Sequence, residues 1–174
     1  MSLRGIDFTA LVLRDALDLA ILVEEEAEER YREFSSQMDL HDTPDAAEFF
    51  RFMSRNEQKH GAELAARRRE LFAGEPRVVT RAQLFDVEAP DYDATRAFMS
   101  PRTAMQVALR AEEKAYAFFV AALPHLRDAG VRALFEELRD EEVVHQDLVK
   151  IELGKIPPDP DVDPEDFTDE PLAQ

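Results

Sequence analysis

Four long stretches of this chain repeat apolar residues three and four apart, and near the middle of each the repeat is broken by a glutamate. The first stripe reads Leu13, Leu17, Ala20, Glu24, Ala27, Tyr31, Phe34, Met38, and the second Ala46, Phe50, Met53, Glu57, His60, Leu64. The third reads Met105, Ala108, Glu112, Ala115, Phe119, Ala122, and the fourth Val131, Phe135, Leu138, Glu142, His145, Val149. Residues at this spacing share one face of an α-helix, and an apolar face must be buried against other helices. The pattern restricts the chain to an all-α bundle and sets a carboxylate where each stripe should be core. Only 5 glycines in 174 residues and little β-branched alternation leave few strand signals.

Punctuation residues divide the stretches. Thr43-Pro44 and Ser100-Pro101 each place a capping hydroxyl before a proline at the first helical position, while Gly74 and Gly154 precede prolines that cannot continue a helix. These signals predict helices over 14–38, 44–73, 101–123 and 129–153. The connections 39–43 and 124–128 are short, so each helix pair is expected to form an antiparallel hairpin. Residues 74–100 are long enough to travel back along a helix of roughly 37 Å, which lets the second and third helices run parallel with a crossover between them. The expected organisation is one bundle domain over 1–154 and a tail over 155–174. Pro157, Pro158, Pro160, Pro164 and Pro171 stand among acidic residues in that tail, a composition expected to be extended or disordered.

One hairpin is duplicated. Glu24 to Tyr31 aligns with Glu112 to Phe119, and Phe50 to His60 aligns with Phe135 to His145, setting Glu57 over Glu142. Glu24 lies 17 residues before His41 at the first hairpin tip and Glu57 lies 16 after it; Glu112 is 14 before Leu126 and Glu142 is 16 after it. The four carboxylates are therefore expected in one layer. Four buried carboxylates repel one another and resist desolvation, so they require protons or cations among them. Two divalent ions cancel the four charges. With His60 and His145 they form an oxygen-and-nitrogen ligand set that suits iron or manganese.

Composition narrows the partners. With 21 Lys and Arg against 38 Asp and Glu, the net charge is −17, which repels phosphate backbones and argues against nucleic acid. The absence of Cys excludes disulfides, thiol catalysis, iron-sulfur clusters and thiolate metal sites from this chain. Apolar runs such as Leu19 to Val23 fall far short of the roughly 20 residues that span a bilayer, and no signal-peptide core is evident. No membrane partner is expected, and the expected location is cytoplasmic.

At Glu24 to Tyr31, Glu57-Gln58-Lys59-His60, Glu112 and Glu142-Val143-Val144-His145, the sequence resembles the rubrerythrin and bacterioferritin branch of the ferritin-like di-iron carboxylate superfamily. The resemblance covers about 14–153. It implies a ferritin-like four-helix bundle of two antiparallel hairpins joined by a long crossover. It further implies two iron ions, with manganese as the alternative, held by Glu24, Glu57, His60, Glu112, Glu142 and His145. The implied activity is that of a di-iron oxidoreductase, reducing peroxide or oxidising ferrous iron with peroxide or dioxygen, and a homodimer is the implied assembly. The competing expectations are a non-catalytic module that buffers or delivers iron, and a metal-free structural bundle.

The chain departs from the family pattern in three places. No Cys-ligated rubredoxin domain is present to feed electrons, so an external electron donor is expected. Ala115 occupies the position one turn after the third-helix Glu where rubrerythrins carry a further carboxylate, which implies a more symmetric six-ligand site. An acidic tail stands where ferritin cages place a fifth helix, so no 24-subunit shell is expected.

For the remaining polar residues, ordinary roles are the first expectation. Glu25, Glu26, Glu28, Glu29, Glu113, Glu136, Glu137 and Glu141 fall off the stripes and read as solvated surface. His41 and His125 lie in hairpin loops and also read as surface. For Tyr31 packing is the default, with a hydroxyl that hydrogen-bonds a ligand carboxylate or donates an electron as the alternative.

Overall fold

The computed structural model describes residues 2–3, 6–81 and 100–158. Four helices, α1 (Leu13–Leu40), α2 (Pro44–Leu71), α3 (Pro101–Ala122) and α4 (Ala129–Leu153), follow the predicted boundaries to within two residues. Ahead of α1, β1 (Ser2–Leu3) pairs antiparallel with β2 (Ile6–Asp7), a two-stranded ribbon that no alternation in the sequence announced. A 3₁₀ turn over Leu123–His125 links α3 to α4.

The helix ends are set by local chemistry. Ser100 caps α3 by accepting from the Thr103 N–H at 3.1 Å, and Asp128 caps α4 by accepting from the Val131 N–H at 2.9 Å. Thr43 departs from its expected capping role: its hydroxyl donates back to the Met38 carbonyl at 2.9 Å, stapling the α1–α2 turn instead. Past α2, Gly74 takes a left-handed φ of 82°, which ends the helical path without a Cβ penalty.

Cross-helix pairs give the chain directions. Asp39 with Arg51, Glu24 with His60 and Asp18 with Arg68 run down α1 as they run up α2, so that hairpin is antiparallel. Phe119 against Phe135, and the Gln146 side chain on the Glu112 carbonyl, show the same for α3 and α4. Phe50 and Met53 share an apolar cluster with Met105 and Ala108, while Leu64 shares another with Phe118 and Phe119. Hence α2 and α3 run parallel. Residues 82–99 of the expected crossover lie outside the described residues, as do residues 159–174 of the expected tail. Ile156, at the head of that tail, is half-buried against the apolar cluster of its end of the bundle, and its carbonyl accepts from Arg102 Nη1 at 2.8 Å.

The interior divides into two apolar clusters. One holds Leu17, Ile21, Leu64, Phe119, Phe135 and Leu138 with Phe8 from the N-terminal segment, and the other holds Tyr31, Phe34, Met38, Phe50, Met53 and Met105. Burying a side chain of this size stabilises a fold by roughly 1.5–3 kcal/mol, so the clusters supply the cohesion that a polar middle layer cannot. On α1 every residue from Ala16 to Glu24 is buried, and Phe8 and Val79 join the apolar cluster at that end of the bundle, Phe8 with its ring 5.8 Å from Phe118 and 6.5 Å from Phe135. Asp18, fully buried in this stretch, accepts from Arg68 Nε at 2.9 Å, and Arg68 also donates to the carbonyls of Phe72 and Pro76. That network ties the chain leaving α2 onto α1.

Candidate metal centre

Between the two clusters lies a layer of titratable side chains. Glu24, Glu57, Glu112, Glu142 and His145 are buried, at 5% exposure or less, and His60 is half-buried with its side chain 21% exposed. The stripes bring one Glu from each helix to this level, and the following turns of α2 and α4 add the two imidazoles. Ala27, Ala111 and Ala115 are buried and belong to neither apolar cluster. Small side chains at this height leave the space to the carboxylates.

The imidazoles of His60 and His145 stack with centroids 5.4 Å apart and planes 10° from parallel. Around them the ligand-type atoms gather in three overlapping groups, each with its atoms within 4.8 Å of one another: Glu112, Glu142 and His145; Glu57, His60 and His145; and Glu24, His60 and Glu141. His145 Nδ1 lies 3.4 Å from Glu57 Oε1 and 3.6 Å from Glu112 Oε2, whereas His60 Nδ1 lies 4.0 Å from Glu24 Oε2. The six expected residues are thus brought together, but the duplicated halves are not equivalent.

Two further residues join the layer. The Tyr31 hydroxyl donates to Glu112 Oε1 while its ring stacks on Phe50 at 6.0 Å, so the structure adopts the hydrogen-bonding alternative along with the packing one. Glu141, expected on the solvated surface, is half-buried and stands beside His60 and Glu24. Its place was legible in one respect, since 141 and 145 are four residues apart and share a side of α4. Of the other off-stripe acids, Glu113, Glu136 and Glu137 are exposed as expected, while Glu25 and Glu29 face Arg77 and Arg81. His41 is exposed and His125 half-buried, both remote from the layer.

Electrostatics separate the groups further. Burial opposes the charged form of His145, but the Glu112 carboxylate 3.6 Å away and the charges of Glu57 and Glu141 outweigh it and push this imidazole up to about 9. Burial raises the Glu141 carboxyl above its ordinary value, with His60 and His145 opposing and Glu137 and Glu57 reinforcing. The layer therefore demands positive charge.

The donor set fits bound metal. Glu57 Oε1 and His60 Nδ1 are buried and have no hydrogen-bond partner, although a buried polar atom without one costs about 1–3 kcal/mol. Both are lone-pair donors aimed into the layer, which is what a cation would use. Among the described residues a cavity of about 80 Å³ between α2 and α4 is walled by His60, Glu63, Arg67, Glu137 and Glu141, and one of about 230 Å³ between α1 and α2 by Glu25, Glu28, Glu57 and Gln58, both beside the layer.

The rubrerythrin family model matches residues 15–153, from the first turn of α1 to the last residue of α4. The chain belongs to the rubrerythrin family. Its fold is similar to the crystal structure of an uncharacterized conserved protein from Magnetospirillum magnetotacticum MS-1, with a TM-score of 0.72 and 28% identity over 88% of this chain and 100% of that one. Among curated proteins, none matches this rubrerythrin-family chain. The ferritin-like bundle, the family and the carboxylate-imidazole groups fit a di-iron protein. No helix among the described residues is long and apolar enough to cross a membrane.

Proposed function

We propose that this rubrerythrin-family protein is a di-iron oxidoreductase whose two iron ions, or manganese in their place, are held by Glu24, Glu57, His60, Glu112, Glu142 and His145. One observation carries the reading: four buried carboxylates and two stacked imidazoles occupy a single layer between two apolar clusters. A pair of ferrous ions supplies two electrons, the number that converts one peroxide and two protons into two waters. Everything else is the work of the chain. The carboxylates offset the cationic charge, and the imidazoles add neutral donors that keep the site from becoming purely anionic. Tyr31 orients Glu112 by its hydroxyl, and oriented ligands hold a metal in one geometry. The apolar clusters lie above and below the layer, and the side cavities are the openings beside it among the described residues.

Peroxide or dioxygen is the proposed oxidant, and an external donor restores the ferrous state. A homodimer is the proposed assembly, on the family resemblance. Anaerobic ferrous loading with elemental analysis, followed by stopped-flow mixing with peroxide and separately with dioxygen, tests the reading. We expect two ions per chain, rapid oxidation and repeated turnover with a reductant. A stoichiometry near one, or loading unchanged in a Glu57→Ala, Glu142→Ala double variant, would overturn the site. Two ions that oxidise without turnover would make the protein an iron store or carrier instead.

A further inference from the structure

The two halves of the layer differ in a way that the duplicated sequence hides. Around His145 gather Glu112 and Glu142, and Glu57 lies 3.4 Å away. Around His60, Glu24 is the six-residue set's own carboxylate, and Glu57 is shared with the other imidazole. Counted on the six residues alone, one imidazole has two carboxylates of its own and the other has one. Glu141 removes the imbalance, because its carboxylate lies within 4.8 Å of both the Glu24 and His60 ligand atoms. Ala115, on α3 of the same hairpin as Glu141, has no side chain able to do so.

Resting on the di-metal reading above, we infer that Glu141 is a seventh ligating residue, which together with Glu24 and His60 forms the half of the centre nearer solvent. Each half then has one imidazole, two carboxylates of its own and Glu57 between them. The acidic cluster is supported by a second observation: Glu57, 2% exposed, has a buried Oε1 that makes no hydrogen bond, 3.4 Å from His145 Nδ1, and shares a ligand group with His60. Position adds a role. Glu141 and His60 wall the cavity between α2 and α4, with the Arg67–Glu137 ion pair at 3.2 Å on the same wall. Glu141 is thus the carboxylate of the centre that an incoming divalent cation meets from that side, next to residues that reach the interior.

The test compares metal binding by the wild type, Glu141→Gln and, as a control, Glu137→Gln. Cobalt(II) titration followed by visible absorption reports ligand number, and anaerobic equilibrium dialysis of ferrous ion reports stoichiometry and affinity. We expect two ions in the wild type and in Glu137→Gln. In Glu141→Gln one of the two should bind at least tenfold more weakly, with an altered cobalt spectrum at that position, while the other is unchanged. Two ions at wild-type affinity with an unaltered spectrum in Glu141→Gln would overturn the inference and leave the di-metal reading standing. A wild type that binds no pair would overturn that reading and this inference with it. Far-UV circular dichroism of the metal-free proteins checks folding, and Glu141→Ala is held to the same two outcomes if the amide is not accommodated.

Discussion

Removing metal and raising pH should weaken this bundle, and His145 sets how much. Its imidazole is buried among carboxylates and pushed from 6.5 to about 9, so the folded protein binds its proton more tightly than the unfolded chain does. A group with a raised folded pKa contributes stability that is fully present below about 6.5 and is lost as pH rises through about 9. At about 1.4 kcal/mol for each tenfold change in proton affinity, the loss is on the order of 3 kcal/mol, a large part of the roughly 5–15 kcal/mol that holds a domain folded. Glu141 acts in the same direction at lower pH, because a carboxyl raised by burial destabilises the fold as pH climbs through its folded value. Urea melts of chelated protein at intervals from pH 6 to 9.5 measure the slope. His145→Gln should begin weaker at pH 6 and remain flat. A chelated wild type whose stability is constant or rises between pH 6.5 and 9 would refute the argument that the carboxylate layer demands positive charge.

Other outcomes follow from the same contacts. Tyr31→Phe keeps the ring on Phe50 but removes the hydrogen bond to Glu112, and should cost about 1–2 kcal/mol in denaturant melts with little change in helix content. Arg68→Ala leaves the fully buried Asp18 carboxylate only the longer Arg77 contact, Nε at 3.8 Å, and should cost up to about 3–5 kcal/mol, whereas the paired Asp18→Leu, Arg68→Met replacement should cost much less by the same assay. Metal loading at pH 7 should release protons, since His145 must give up its proton to ligate. Dye-monitored release about one proton lower in His145→Gln would support that origin, and equal release would exclude it.

Periodicity made the helices, their order and the common height of six polar residues legible, because each depends only on spacing along a helix and on the length of the hairpin turns. Glu24, Glu57, Glu112 and Glu142 were visible as interruptions of apolar stripes, and the His residues by their position three residues after a Glu. Glu141 was not, since a residue one position off a stripe points to solvent unless neighbouring helices lean over it. The difference between His60 and His145 was equally hidden, because identical local patterns face unequal surroundings: His145 is buried against Glu57 and Glu112, whereas His60 is half-buried. Tyr31 had two readings by sequence, and only the approach of α3 brought Glu112 within reach of its hydroxyl. The burial of α1 on all sides from Ala16 to Glu24 was likewise not legible from its stripe, nor was the entry of Phe8 and Val79 into the apolar cluster at that end. Sequence by itself determined which residues share a face and a level. The tertiary structure decided which of them share a partner, because contact distances, burial and proton affinity arise from what packs across the bundle rather than along it.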